Sequence, residues 1–173
     1  SGNNVTNSNV TTSGTSSMGI AVSSASNNHV ENNRVTTLGN LYAYPIEIDS
    51  GSSNNAHVRN TIKSTGSNAF GIHLLGVSNN LTSNNVTTTD GSSYGIQVYA
   101  SANSNILANN TFNSQGSGVR FEVASTNNLF KDSLINGSSA DISSATTGIN
   151  NLTNCTFNKS ETSVTGTGSI NVF

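Results

Sequence analysis

Ser78-Asn79-Asn80-Leu81-Thr82-Ser83-Asn84-Asn85-Val86-Thr87-Thr88, then a turn at Gly91 and Tyr94-Gly95-Ile96-Gln97-Val98, is one complete structural unit. Three segments each carry an apolar anchor: Leu81, Val86, and the pair Ile96 and Val98. Polar and apolar residues alternate through Ile96-Gln97-Val98, the mark of a strand with one buried face. Each segment is too short for a helix, and β-branched residues fill most of the apolar slots.

The unit recurs. Asn-Asn pairs sit at 3-4, 27-28, 54-55, 79-80, 127-128 and 150-151, with Ser104-Asn105 in the remaining slot. Turn glycines follow at Gly14, Gly39, Gly66, Gly91 and Gly116, and the third segment recurs as Met18-Gly19-Ile20, Tyr44-Pro45-Ile46, Phe70-Gly71-Ile72 and Tyr94-Gly95-Ile96. A period near 25 residues with three short strands per repeat predicts an all-β fold. It is a right-handed parallel β-helix of about seven coils, in one domain over residues 1–173 with irregular coils from about 130. Like residues then stack on like. One interior row is Val10, Val35, Ile62, Val86, Phe112, Ile135 and Phe157; a second is Ile20, Ile46, Ile72 and Ile96; Met18, Tyr44, Phe70 and Tyr94 stand beside the turn. Asn9, Asn33, Asn60, Asn85 and Asn110 are expected to take left-handed backbone angles and to form an asparagine ladder that ends at Ser133 and Cys155.

Composition agrees with a thin-cored repeat. Hydrophobic residues make up 32% of the 173 and charged residues 8%, so neither a large globular core nor the high charge typical of disorder accounts for the chain. The net charge of −2 without a basic cluster argues against nucleic acid, and no apolar run is long enough to span a membrane. The start at Ser1 reads as a processed or excised segment. Abundant Asn, Ser and Thr suggest an extracellular, cell-surface location. Nine Asn-x-Ser/Thr sequons occur, at Asn4, Asn9, Asn80, Asn85, Asn109, Asn136, Asn151, Asn154 and Asn158. Some are expected on inward turns, and Asn4, Asn80, Asn136 and Asn158 are the acceptors singled out. Cys155 has no partner in the chain, so it is either a small buried substitute for Asn or a link between chains.

The recurring Asn-Asn-x-x-x-Asn-Asn-Val-Thr and the Gly-Ile-x-Val third segment resemble the parallel β-helix repeat family of the pectate-lyase-like superfamily. That family includes polysaccharide lyases, hydrolases, epimerases, adhesins and surface-layer proteins, so the resemblance implies a fold and leaves function to the site. In its enzymes for acidic sugars the resemblance implies clustered carboxylates with His, Lys or Arg, which move protons and neutralise a uronate. The matching stripe here is Glu47, His73, Gln97, and Arg120 or Glu122, on the outward side of the third strands. It holds at most one acid per coil, and no Asp-Asp pair occurs, so the chain is read as non-catalytic.

Other constellations are thinner. His29 and His57 are expected to stack in adjacent coils, without further ligands for a metal; no metal or other cofactor is expected. Glu31 and Arg59 are expected to pair across the same coils. Outward Thr11, Thr36 and Thr87 form a threonine row that Lys63, Asn113, Asn136 and Asn158 interrupt.

Both ends read as uncapped repeats: Asn3-Asn4-Val5 at one, and Ser169 to Phe173 at the other. In composition and repeat style the chain is similar to archaeal β-solenoid sheath and surface-layer proteins. The sequence therefore favours an extracellular structural subunit that self-assembles head-to-tail, through Val5, Val10 and Ile20 on one side and Phe157, Ile170, Val172 and Phe173 on the other. The alternative is a carbohydrate-active or carbohydrate-binding β-helix domain, or an adhesin fragment, with a cell-surface polysaccharide as partner.

Overall fold

A computed structural model describes residues 2–173. The chain winds through three parallel sheets of eight, six and seven strands. The fourth coil shows the plan, with Asn80–Thr82 in the first sheet, Asn85–Thr88 in the second and Tyr94–Val98 in the third. Each strand pairs with its counterparts one turn before and after, as Val86 does with Ile62 and Phe112. A segment of three to five residues cannot hold a sheet by itself; stacking gives each strand two partners and closes an interior. Leu81, Val86, Ile96 and Val98 are wholly buried there, each worth about 1.5–3 kcal/mol of apolar burial. Farther along, Phe112, Phe121 and Phe130 fill the axis, with ring centroids 5.4 and 6.1 Å apart.

The bends between first and second strands use a left-handed residue: Asn7, Asn32, Arg59, Ser83, Asn109, Asp132 and Asn154 have φ of 50–58°. The residue after each bend points its side chain inward. The observed ladder therefore runs through Asn33, Asn60, Asn84 and Asn110. Asn84 Oδ1 accepts from the Asn60 backbone N–H at 3.0 Å and from its Nδ2 at 2.9 Å, while Asn84 Nδ2 donates to the His57 carbonyl at 2.8 Å and to Asn110 Oδ1 at 3.1 Å. Ser8 starts this ladder through its backbone N–H on Asn33 Oδ1, and Ser133 Oγ continues it by accepting from the Asn110 N–H.

This corrects the expected ladder at two positions and in its backbone angles. Asn9 and Asn85 lie in register with Arg34 and Thr61 and are exposed, because each opens the second strand one residue later. The left-handed angle belongs to the residue before the ladder. A second ladder, at the entry to the first sheet, links Asn3, Asn28, Asn55, Asn79, Asn105, Asn128 and Asn150, with steps of 22–27 residues. These amides satisfy buried backbone groups that no strand pairs.

Turn glycines also stack. A Cβ at Gly66 would collide with the Gly39 carbonyl, and one at Gly39 with that of Gly14. In the seventh coil no second-sheet strand forms after Leu134–Gly137. Thr156 makes a single bridge to Leu134, followed by a one-turn 3-10 helix, Lys159–Glu161, which Asn158 caps by accepting from the Ser160 N–H.

Candidate active site on the third sheet

The outward row of the third sheet is Ala21, Glu47, His73, Gln97, Arg120 and Ser143 in continuous register. Strand alternation puts them outside because Ile46 and Ile48, Ile72 and Leu74, and Ile96 and Val98 take the inside. The stripe read from the sequence is therefore assembled in space. Glu122 joins it, accepting from Arg120 Nε at 3.0 Å and from Gln97 Nε2 at 3.1 Å. Arg120 also donates to Ser143 Oγ at 2.7 Å and lies 5.9 Å from the centroid of the Tyr94 ring.

A groove opens beside this row, lined by Tyr42, Tyr44, Phe70, His73, Gln97 and Tyr99, with a volume of about 390 Å³. Tyr44, Phe70 and Tyr94 stack along the helix axis, with centroids 5.4 and 4.6 Å apart. The His73 ring sits 4.4 Å from Tyr44 and 5.6 Å from Tyr99. Tyr42 is 62% exposed and Tyr99 42%. Exposed aromatic side chains beside buried ones give a wall with an apolar body and hydroxyls at its edge.

Tyr42 has a specific origin. Ile46 follows Thr37 by nine positions, whereas Ile72 follows Ser64 and Ile96 follows Thr88 by eight. The second coil thus carries one extra residue in this turn. Where Ser16 and Asn68 supply a single left-handed residue, here Leu41 and Tyr42 are both left-handed, at φ 49° and 59°. Two adjacent bulky residues in that region cost about 1–3 kcal/mol each, and such strain clusters at functional sites.

His73 and Glu47 meet at 3.3 Å. Burial pushes the His73 imidazole down to about 4. Burial, reinforced by Asp49, pushes the Glu47 carboxyl up. Both shifts disfavour charge, so at neutral pH this contact is a neutral imidazole donating its Nδ1–H to Glu47. Such a donation fixes the ring tautomer and leaves Nε2 as a proton acceptor.

The other candidates resolve differently. His29 pairs in register with Ala56, and His57 pairs with Val30 and Leu81. His57 therefore points into the core and His29 outward, which overturns the expected histidine stack: a one-residue slip reverses the face. Among the described residues no group of three or more His, Cys, Asp or Glu is placed to hold a metal. Glu31 does pair with Arg59, and it also meets His29 at 2.7 Å. The threonine row is in register but broken by Lys63.

The nine sequon asparagines all lie on the first two sheets or the turns beside them, and none is buried. None occupies an inward turn, contrary to expectation, because the inward places belong to the ladder asparagines. Cys155 takes the place after Ser133 in the ladder that runs through Asn33, Asn60, Asn84 and Asn110, half-buried, with burial pushing its thiol up. Val5 and Val10 pack against the cluster of Ile20, Val22, Val30 and Val35, and Phe157 and Ile170 against the main core; Val172 and Phe173 are exposed.

A family model described as the right handed beta helix region matches residues 1–112, more than half of the chain. The chain belongs to this β-helix family. No curated protein matches it. Among solved structures the β-helix is similar to the crystal structure of the Agl-KA catalytic domain, with a TM-score of 0.61 at 14% identity over 98% of this chain. It spans 42% of the length of that structure. The likeness is one of fold. It corrects the reading of the chain as non-catalytic, since the same winding serves as a catalytic domain elsewhere.

The sequence reading missed the aromatic groove. It placed Tyr44, Phe70 and Tyr94 beside the turn but gave no weight to Tyr42 and Tyr99. The signal available was the extra residue between Thr37 and Ile46.

Proposed function

We propose that this chain is a carbohydrate-active β-helix domain that binds a polysaccharide strand along the third sheet, with the His73–Glu47 pair as its proton-transfer centre. One observation carries this reading: Tyr42, Tyr44, Phe70 and Tyr99 line a single open groove together with His73 and Gln97. Sugar rings have apolar faces and a rim of hydroxyls, which an aromatic wall edged with polar groups complements. In this reading His73 accepts a proton from a water that bonds to the anomeric carbon as the glycosidic C–O bond breaks, the leaving oxygen takes a proton from solvent, and Glu47 is the positioning residue of His73, orienting the ring and stabilising the imidazolium that forms. The test is retention and turnover on a panel of polysaccharides. The expected result is binding by the native chain and by His73→Ala, with turnover lost in His73→Ala and Glu47→Ala. Absence of binding to every polymer overturns the proposal.

A second reading, an extracellular structural subunit that self-associates end to end, is favoured by the first coil. A partly apolar hollow there is lined by Val5, Ile20, Val22, Ala25 and Val30, a shape that the rows of another copy would continue. Analytical ultracentrifugation with electron microscopy tests it. Concentration-dependent rods or fibres are expected, and a monomer across the whole range rejects it.

A further inference from the structure

We propose that the third-sheet groove selects uncharged glycans and rejects polyuronates; this rests on the carbohydrate reading above and narrows its substrate class. The argument is the placement of charge. The chain has six Lys and Arg. Arg34 and Lys63 lie on the second sheet, Lys131 on the first, Arg59 in the bend between them and Lys159 in the 3-10 turn. Arg120 alone stands on the third sheet. Its guanidinium is engaged by Glu122 at 3.0 Å and Ser143 at 2.7 Å, over the Tyr94 ring.

The anions are on the groove's side. Glu47 and Glu122 flank it, with Asp49 just beyond the strand Ile46–Ile48. The groove's own lining is tyrosine, phenylalanine, glutamine and a histidine that burial keeps neutral. A polyuronate would bring one carboxylate per ring to a surface with no free cation and two or more acids, where like charges repel. A neutral glycan meets the opposite situation. Its hydroxyls can donate to Glu47, Glu122 and the tyrosine oxygens, while its ring faces stack on Tyr42 and Tyr99. The extra residue in the second coil puts Tyr42 at the rim, so it determines how tightly the chain holds a ring there.

The experiment is affinity electrophoresis through gels containing neutral glucans, xylans or mannans, beside gels containing polygalacturonate or alginate, at low salt. Retention by at least one neutral polymer and by neither acidic one is expected. Tyr42→Ala should weaken that retention at least tenfold while the far-ultraviolet circular dichroism stays unchanged. Glu122→Gln, which leaves the Arg120 charge uncompensated, should produce new, salt-sensitive retention by polygalacturonate. If the native chain is retained by the acidic polymers more strongly than by any neutral one, the proposed selectivity is wrong and the carbohydrate reading stands. If Glu122→Gln gains no acidic retention, the charge argument fails. If no polymer retains the native chain, the carbohydrate reading falls and this inference with it.

Discussion

His57 is the residue least at ease in this molecule. It is 0% exposed, stacked between Val30 and Leu81, and neither ring nitrogen has a hydrogen-bond partner among the described residues. One nitrogen must carry a proton, so at least one donor is buried without an acceptor. Burial, with a smaller effect from His29, pushes the ring down from 6.5 to about 4. The unfolded chain therefore binds a proton that the folded chain refuses between those values. Stability is highest above pH 6.5, falls as the pH drops through that window, and is flat with respect to this group below about 4. The loss is on the order of 3 kcal/mol. His57→Leu completes the aliphatic row and should raise stability at pH 7 by about 1–3 kcal/mol. It should also flatten about half of the decline between pH 6.5 and 4, with His73, pushed down over the same range, supplying the other half, as thermal melts at several pH values would show. A variant that melts lower at pH 7 than the native chain would mean that His57 has an unseen partner.

The ladder gives a second test at the same scale. Asn84 and Asn85 are neighbours of the same residue type, yet only Asn84 spans two turns with its amide. Asn84→Ala leaves the Asn60 backbone N–H without an acceptor and should cost about 2–3 kcal/mol. Asn85→Ala removes an exposed side chain and should change stability by less than about 0.5 kcal/mol. Equal losses in urea melts would restore Asn85 to the ladder.

At the scale of the element, the turn between the second and third strands of the second coil is where the repeat departs from itself. Leu41 and Tyr42 hold adjacent left-handed angles without being glycine. Tyr42→Gly relaxes one of them and should raise stability by about 1 kcal/mol while removing polysaccharide retention. Calorimetry and the gel assay on the same sample check both halves. Loss of stability together with binding would make Tyr42 a packing residue.

This element also marks how far the sequence could be read. Periodicity fixes strands wherever one face is buried, so Val86, Ile96 and their counterparts were legible, as was the outward stripe from Glu47 to Arg120. The bends were not. Asn-Asn dipeptides offer two candidates for one inward place, and only backbone angles choose between Asn84 and Asn85. The same one-residue ambiguity hid His57 in the core, since His-Val-Glu and Ala-His-Val segments align by their histidines until registered. The groove was illegible for another reason. Tyr99 and Tyr42 lie in connections of different coils, 57 positions apart in the chain, and only the winding brings them to one side.

At the scale of the whole molecule, each coil touches only its neighbours, so stability is a sum over adjacent pairs and is free to vary along the axis. The interior is uneven. Coils two to six bury Ile46, Leu74, Val98, Phe121 and Phe130 completely, whereas Val5 and Val10 in the first coil are only partly covered. In the seventh coil the second sheet has no strand, and Thr162–Val164 is partly covered at Thr162 and exposed at Ser163 and Val164. Amide hydrogen exchange should therefore show a gradient. Protection should be greatest in Ile72–Leu74, Tyr94–Val98 and Ser117–Phe121, and lower by at least tenfold in Asn4–Thr6, Asn9–Thr12 and Thr162–Val164. The groove lies across the well-protected coils, which is where a site needing fixed side-chain positions belongs. Added neutral glycan should slow exchange further in Ile46–Ile48, Ile72–Leu74 and Tyr94–Val98 and leave the first two sheets unchanged. Uniform protection along the chain would mean that the coils unfold as one unit. Slowing confined to the end coils would place the glycan away from the groove and favour binding at the ends instead.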